Sequence, residues 1–263
     1  MNIRRGYADG PFGQLHYEEA GDGVPIILLH QMVQSSVQFR PALPFLAMHG
    51  LRAIAVDLPG YGMSERPGHA PNTEEYAAIV PAVLSHLGLS QVIVCGHHTG
   101  ASIACAVTHR YPKYISKLIL HGVPYFTKEE MADLMSDPQQ AEPIAEDGSH
   151  FQKVWDLFHG AGKGAVSKEA TNWSILYYFM AGETGWHGHH AVFNYEIEIA
   201  IAAINAPTLL ISNTGDMLNP QDRRLAKARP DFEFKEIQGG TFQYVYDEAE
   251  EWAAQVADFA TRI

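Results

Sequence analysis

Cysteine is scarce in this chain: two residues in 263, Cys95 and Cys105, and no C-x-x-C pair. That excludes a thiolate zinc centre and a fold held by disulfides. Two isolated thiols are expected to be buried and reduced, as in the cytoplasm. Positive charge is short as well. Against 30 Asp and Glu stand 18 Lys and Arg, a net charge of −12. So acidic a chain is not expected to bind nucleic acid or an anionic membrane surface. No apolar stretch reaches the length of a membrane span. The start, MNIRRGYADG, has no apolar run behind its arginines and does not read as a secretion leader. What remains is an ordinary globular composition, 46% hydrophobic and 18% charged, enough for one α/β core carrying an inserted segment.

The chain pivots on QVIVCGHHTGASIACA, residues 91–106. An apolar strand runs into Gly96-His97-His98-Thr99-Gly100, and small and apolar residues then open a helix. A sharp strand–turn–helix with glycine at both ends holds its central side chain exposed at the top of a sheet. Here that side chain is His98.

Around the pivot, strands and helices alternate. Residues 7–20 read as a hairpin with glycine-rich turns, and 25–30 as a buried strand ending at His30. Residues 39–49 have helical spacing, closed by Gly50. Residues 52–57 form the next strand, and Asn72-Thr73 can cap a helix over 74–87 that stops at Gly88. Residues 117–120 are a strand leading into His121. From about 125 to 205 the strand rhythm stops, and a polar helical stretch gives way to one rich in aromatics. Strands return at 207–212, before Asp216, and at 232–237, with a short helix over 222–228 between them and an amphipathic one over 248–263 closing the chain. This order predicts a mostly parallel, doubly wound α/β sheet, residues 1–124 and 206–263, with a helical lid over 125–205 inserted between two late strands. Ligands in such sheets lie at the carboxyl ends of the strands. Those ends carry His30, Asp57, His98, His121 and Asp216.

In these motifs the chain resembles the α/β-hydrolase superfamily over nearly its full length: His30-Gln31, DLPGYGMS at 57–64, the 96–100 turn, Tyr111-Pro112, PTLL at 207–210 and Gly215-Asp216. The resemblance implies a fold of that type and a small-molecule substrate. It implies a nucleophile at the position of His98, where most members carry Ser, Cys or Asp. It also implies a general-base histidine after the last strand. That segment here, QGGTFQ at 238–243, contains no histidine, and Phe242 falls at the position. The orienting acid does match, as Asp216. Neither the hydroxyl nor its base is present, so the usual Ser–His–Asp chemistry cannot run.

Four readings follow. His98 is a general acid or base oriented by Asp216, acting through water on an ester, lactone or epoxide, or abstracting a proton next to a carbonyl. Its imidazole reaches about 2–3 Å further than a serine hydroxyl, and backbone N–H groups of Thr99 and of the Gln31-Met32 stretch would still hold an oxyanion. Alternatively His98 is itself acylated. A third reading has histidines, drawn from His30, His97, His98, His121 and the lid's His187, His189 and His190, bind a metal, although their spacing fits no metal motif. The fourth is a ligand-binding protein that kept the pocket without the chemistry. The preferred reading takes His98 and Asp216 as catalytic, with no cofactor and no metal. His30, Gln31, Met32, Thr99, His121 and Phe242 then surround the reacting atoms. Trp155, Trp173, Tyr177, Trp186 and His190 are the lid residues expected over an apolar pocket. Ser35 and Ser36 read as loop-stabilising hydroxyls, Asp57 as structural, and GAGKG at 160–164 as a lid turn rather than a phosphate loop. The sequence leaves a homodimer open.

Overall fold

The computed structural model describes residues 2–136, 140–162 and 165–262. Eight strands form one sheet: β1 (Arg4–Gly10), β2 (Gly13–Ala20), β3 (Val24–Leu29), β4 (Leu51–Val56), β5 (Val92–His97), β6 (Ile115–His121), β7 (Thr208–Asn213) and β8 (Glu233–Ile237). Their spatial order is β1-β2-β4-β3-β5-β6-β7-β8. The β1/β2 hairpin and the β2/β4 pair are antiparallel, and every later pairing is parallel. Alternation along each inner strand divides the core. Ile27, Leu29, Val94, Leu118, Leu120 and Leu210 face one apolar cluster, while Ile26, Leu28, Cys95, Ile119, Leu209 and Ile211 face the other. The helix Thr99–Arg110 supplies Ile103 and Val107 to the first face, and the closing helix Ala249–Ala260 supplies Trp252 and Val256 to the second. Both cysteines are free and buried, and among the described residues no helix is long and apolar enough to cross a membrane.

Two expected helices are shorter than their spacing suggests, and proline is the reason. The 39–49 stretch splits into a 3-10 turn, Ser36–Phe39, and a helix, Leu43–Met48, around Pro41 and Pro44. The 74–87 stretch starts on a full capping box at Asn72 and Glu75 and ends on left-handed Gly88, as expected. It breaks at Ala78, however, into Thr73–Ala77 and Ile79–Leu87. Pro81 has no N–H to give the Ala77 carbonyl, so the ladder cannot run through. Between β6 and β7 lie the lid helices, Lys128–Ser136, Ser149–Ala161, Lys168–Ala181, His187–Phe193 and Ile197–Ala203. Of the expected turn at 160–164, Lys163 and Gly164 lie outside the described residues.

Register decides which side chains meet. Leu29 pairs with Gly96, His97 with His121, and His121 with Ile211. The carboxyl ends of β3, β5, β6 and β7 therefore finish side by side, and the loops beyond them converge.

Candidate active site

The turn after β5 is strained at one residue. His98 has φ 52° and ψ −116°, and among the described residues it is the only non-glycine with positive φ. A positive-φ conformation so far from the populated wells costs an L-residue about 1–3 kcal/mol, so the surroundings must hold it. They do so through His98 N–H, which donates to the His121 carbonyl at 2.9 Å, and through two close approaches that only glycine permits. A Cβ on Gly96 would lie 2.1 Å from the Gly100 carbonyl oxygen, and one on Gly100 would lie 2.1 Å from that of Leu29. Gly122 completes the seat. Its own φ is +65°, and a Cβ there would lie 2.4 Å from His98 Cδ2. The bare glycine lets the imidazole lie across the end of β6 towards β7.

There it meets Asp216. His98 Nε2 lies 2.8 Å from Asp216 Oδ2, the histidine 13% exposed and the carboxylate 1%. Leu218 N–H donates to the other oxygen, Oδ1, at 2.8 Å. Burial pushes this carboxyl up, but the charge and hydrogen bond of His98 and the Leu218 N–H outweigh it, leaving Asp216 below the usual carboxylate range. An ionised carboxylate only accepts, so His98 Nε2 carries the hydrogen, and in the neutral form of the ring Nδ1 carries the lone pair.

The neighbouring imidazoles are fixed otherwise. His30 Nδ1 donates to the Gln31 carbonyl at 2.8 Å, and its Nε2 accepts from Leu58 N–H at 3.0 Å. His121 Nδ1 accepts from the Trp252 indole at 3.2 Å and its Nε2 donates to Asn213 Oδ1 at 2.8 Å. Gln38 Oε1 accepts from Gln31 N–H, so its Nε2 donates to His97 Nδ1 at 2.7 Å, which leaves the His97 hydrogen on Nε2. Burial lowers the pKa of all three, that of His121 to about 4, so they stay neutral. Of His30, His97, His98 and His121, only His98 has a carboxylate for a partner.

Beside His98 lies a cavity of about 240 Å³, walled by Gln31, Met32, Val33, Leu157, Phe158, Ala161, Trp186, His189, Met217 and Phe242. It is mostly apolar and smaller than the roughly 300–1,000 Å³ of a drug-sized site. Of the residues expected from sequence, Gln31, Met32, His98, Trp186 and Phe242 meet here. Thr99 is buried at the start of its helix, and His30 and His121 lie beneath the loops as described. Four expected lid residues are elsewhere. Trp155 stacks on His159, and Trp173 stacks on Tyr177 and covers the Arg40 guanidinium. His190 lines a separate hollow with Asn72 and Tyr195. His189 takes its place, because at 3.6 residues per turn adjacent residues point about 100° apart. Sequence reasoning also missed Gly122, Gln38 and Asn213, whose partners lie 24, 59 and 92 positions away.

One ring nitrogen each of His97 and His98 and one Asp216 oxygen lie within 4.8 Å of one another, a spacing a metal ion could use. The hydrogen bonds oppose it. His97 presents N–H rather than a lone pair, and His98 Nε2 is committed to Asp216.

The sequence matches the alpha/beta hydrolase fold family over residues 24–248. The chain belongs to that family. It is 28% identical to the AB hydrolase superfamily protein YisY of Bacillus subtilis (strain 168), over 94% of this chain and 95% of that protein. It is 29% identical to a non-heme haloperoxidase of Rhodococcus erythropolis, over 79% of this chain and 80% of that one. The enol-lactonase of Burkholderia xenovorans LB400 shares the fold, with a TM-score of 0.82 at 18% identity, covering 98% of this chain and 100% of its own.

Proposed function

We propose that this chain is an enzyme of the α/β-hydrolase fold in which His98, oriented by Asp216, is the general acid and base for a small apolar ester, lactone or epoxide. The observation that carries this reading is the 2.8 Å bond from His98 Nε2 to Asp216. Where the family's nucleophile would need a separate histidine to reach the acid, the longer side chain at the elbow reaches it directly. A base after the last strand is then superfluous, and Phe242 serves as cavity wall. His98 Nδ1 draws a proton from water, the water oxygen attacks, and Asp216 steadies the imidazolium until the proton passes to the leaving oxygen. Gln31 N–H is taken by Gln38 Oε1, which leaves the backbone N–H groups of Met32 and Thr99 for the developing oxyanion. Binding without turnover is the second reading, favoured by the absence of a serine at the elbow. The free, buried cysteines accord with a cytoplasmic setting.

The test is turnover on activated esters, lactones and epoxides by wild type and His98→Ala side by side. Loss of about 10²–10⁴-fold in the variant is expected for removal of a positioned acid–base. Equal rates would refute the assignment, and unaltered recovery of tightly bound compounds would favour the binder.

A further inference from the structure

The cavity beside His98 has an uneven supply of hydrogen-bonding groups. Two of its wall residues carry buried N–H groups with no partner, Gln31 Nε2 and Trp186 Nε1. Behind the elbow, His97 Nε2 is a third orphaned donor. Orphaned buried groups able to accept exist among the described residues, on Tyr76, Ser102, His159, Gln221, Asp222, Tyr244 and Gln255, but none of these lines the cavity. A buried donor left unmade is costly, so donors gathered at one cavity imply that the ligand brings the acceptor. A hydrogen bond to a charged acceptor is about twice as strong as one to a neutral acceptor, so such a wall favours an oxygen bearing negative charge.

The charge cannot arrive ready-made. Among the described residues no Lys or Arg lines the cavity, the wall is largely apolar, and the chain carries a net charge of −12 that repels anions. A neutral acid can enter and ionise in place.

We propose that the site takes a small phenol or enol and binds it as its conjugate oxyanion. The O–H bond breaks, its electron pair stays on the oxygen, and the proton forms the Nδ1–H bond of His98. An imidazolium then lies between the oxyanion and Asp216, while Gln31 and Trp186 donate to the anion. This rests on the acid–base reading of His98 and goes beyond it: the same ring nitrogen that draws a proton from water there takes one from a bound phenol or enol here.

The probe is 4-nitrophenol, whose ionised form absorbs visible light, with 4-nitroanisole as the O-methyl compound that has no proton to give. Wild-type protein is titrated into each at a pH about one unit below the phenol's own pKa. Expected is saturable growth of phenolate absorbance, the bound dye's apparent pKa falling by about one unit or more, with the anisole bound at least about tenfold more weakly. His98→Gln should bind the dye without ionising it, and Trp186→Phe should weaken binding severalfold while circular dichroism stays native. Dye bound as the neutral phenol, equal affinity for the anisole, or no saturable binding overturns the proposal. If the dye stays neutral while His98→Ala abolishes ester turnover, this inference falls and the acid–base assignment stands. If His98→Gln ionises the dye as wild type does, both fall.

Discussion

Two histidine–aspartate pairs stand at the carboxyl edge of the same sheet. His16 on β2 bonds Asp57 after β4, and His98 after β5 bonds Asp216 after β7, each at 2.8 Å. By distance and residue type they are equivalent. Their surroundings are not. Asp57 also accepts from Ser36 N–H at 2.6 Å and Met63 N–H at 2.8 Å, and a Cβ on Gly62 would lie 2.2 Å from Oδ2. That pair is buried, its carboxylate oxygens are taken up by loop N–H groups, and it ties loops together. His98 is held on a strained turn beside an apolar cavity. The pair alone is therefore no sign of a reactive centre. Access and strain set the two apart.

The largest expected effect comes from the isosteric exchange at each acid. Asp216→Asn should lower kcat by about 10²-fold or more, since His98 loses its anionic partner, with a native melting profile. Asp57→Asn should do the opposite. It should remove about 3 kcal/mol or more of stability, as breaking a buried pair does, or roughly 6–12 °C in Tm for a chain of this size. Turnover per folded molecule should persist. If both variants lose activity only in proportion to unfolded protein, the distinction between the pairs is wrong.

Next is the seat of the ring. Gly122→Ala places a methyl against His98, whereas Gly88→Ala, at nearly the same φ of +66°, meets nothing within 4 Å. Both variants should lose about 1–2 kcal/mol to the left-handed conformation. Only Gly122→Ala should lower kcat, by about tenfold or more, the scale of a small displacement in a positioned group. A matching rate loss in Gly88→Ala would show that strain, not contact, is being measured.

The smallest effect concerns a third acid at this edge. Asp222 accepts from Val123 N–H at 2.7 Å, but its other oxygen is orphaned, and among the described residues no imidazole bonds it. Burial therefore holds its carboxyl well above the usual range, opposite to Asp57 and Asp216, where partners outweigh burial. The signs follow from linkage. The paired acids add stability above the ordinary carboxylate pKa and lose it as pH falls through their depressed values. Asp222 favours the fold at low pH and opposes it as pH rises above that ordinary value. Asp222→Asn should thus melt like wild type near pH 3 and progressively higher than wild type towards pH 8. A difference in Tm that does not change with pH would show the carboxyl is ionised in the fold.

Much of the site was legible because the elbow is local. Gly96, Gly100 and His98 lie within five residues, and their spacing alone fixes a tight strand-to-helix turn. Asp216 was legible because it follows an apolar strand by a short turn. The lid was legible as a break in strand rhythm, but its pocket was not. Trp155 and Trp173 have the composition expected of pocket walls, yet they pack on His159 and against Tyr177 and Arg40. Helix phase and packing angle decide which aromatic faces inward, and neither can be read from residue type.

Sequence by itself determined the alternation of buried strands and helices, the strained histidine at the elbow, and the absence of a serine at the elbow and of a histidine after the last strand. These follow from hydrophobic periodicity and from glycine's freedom, both properties of neighbouring residues. Tertiary structure alone decided that His98 bonds Asp216, that Gln38 sets the hydrogen of His97, and that Gly122 leaves room for the ring. Each depends on the register that brings the ends of β3, β5, β6 and β7 side by side. Register is settled by packing both faces of the whole sheet at once.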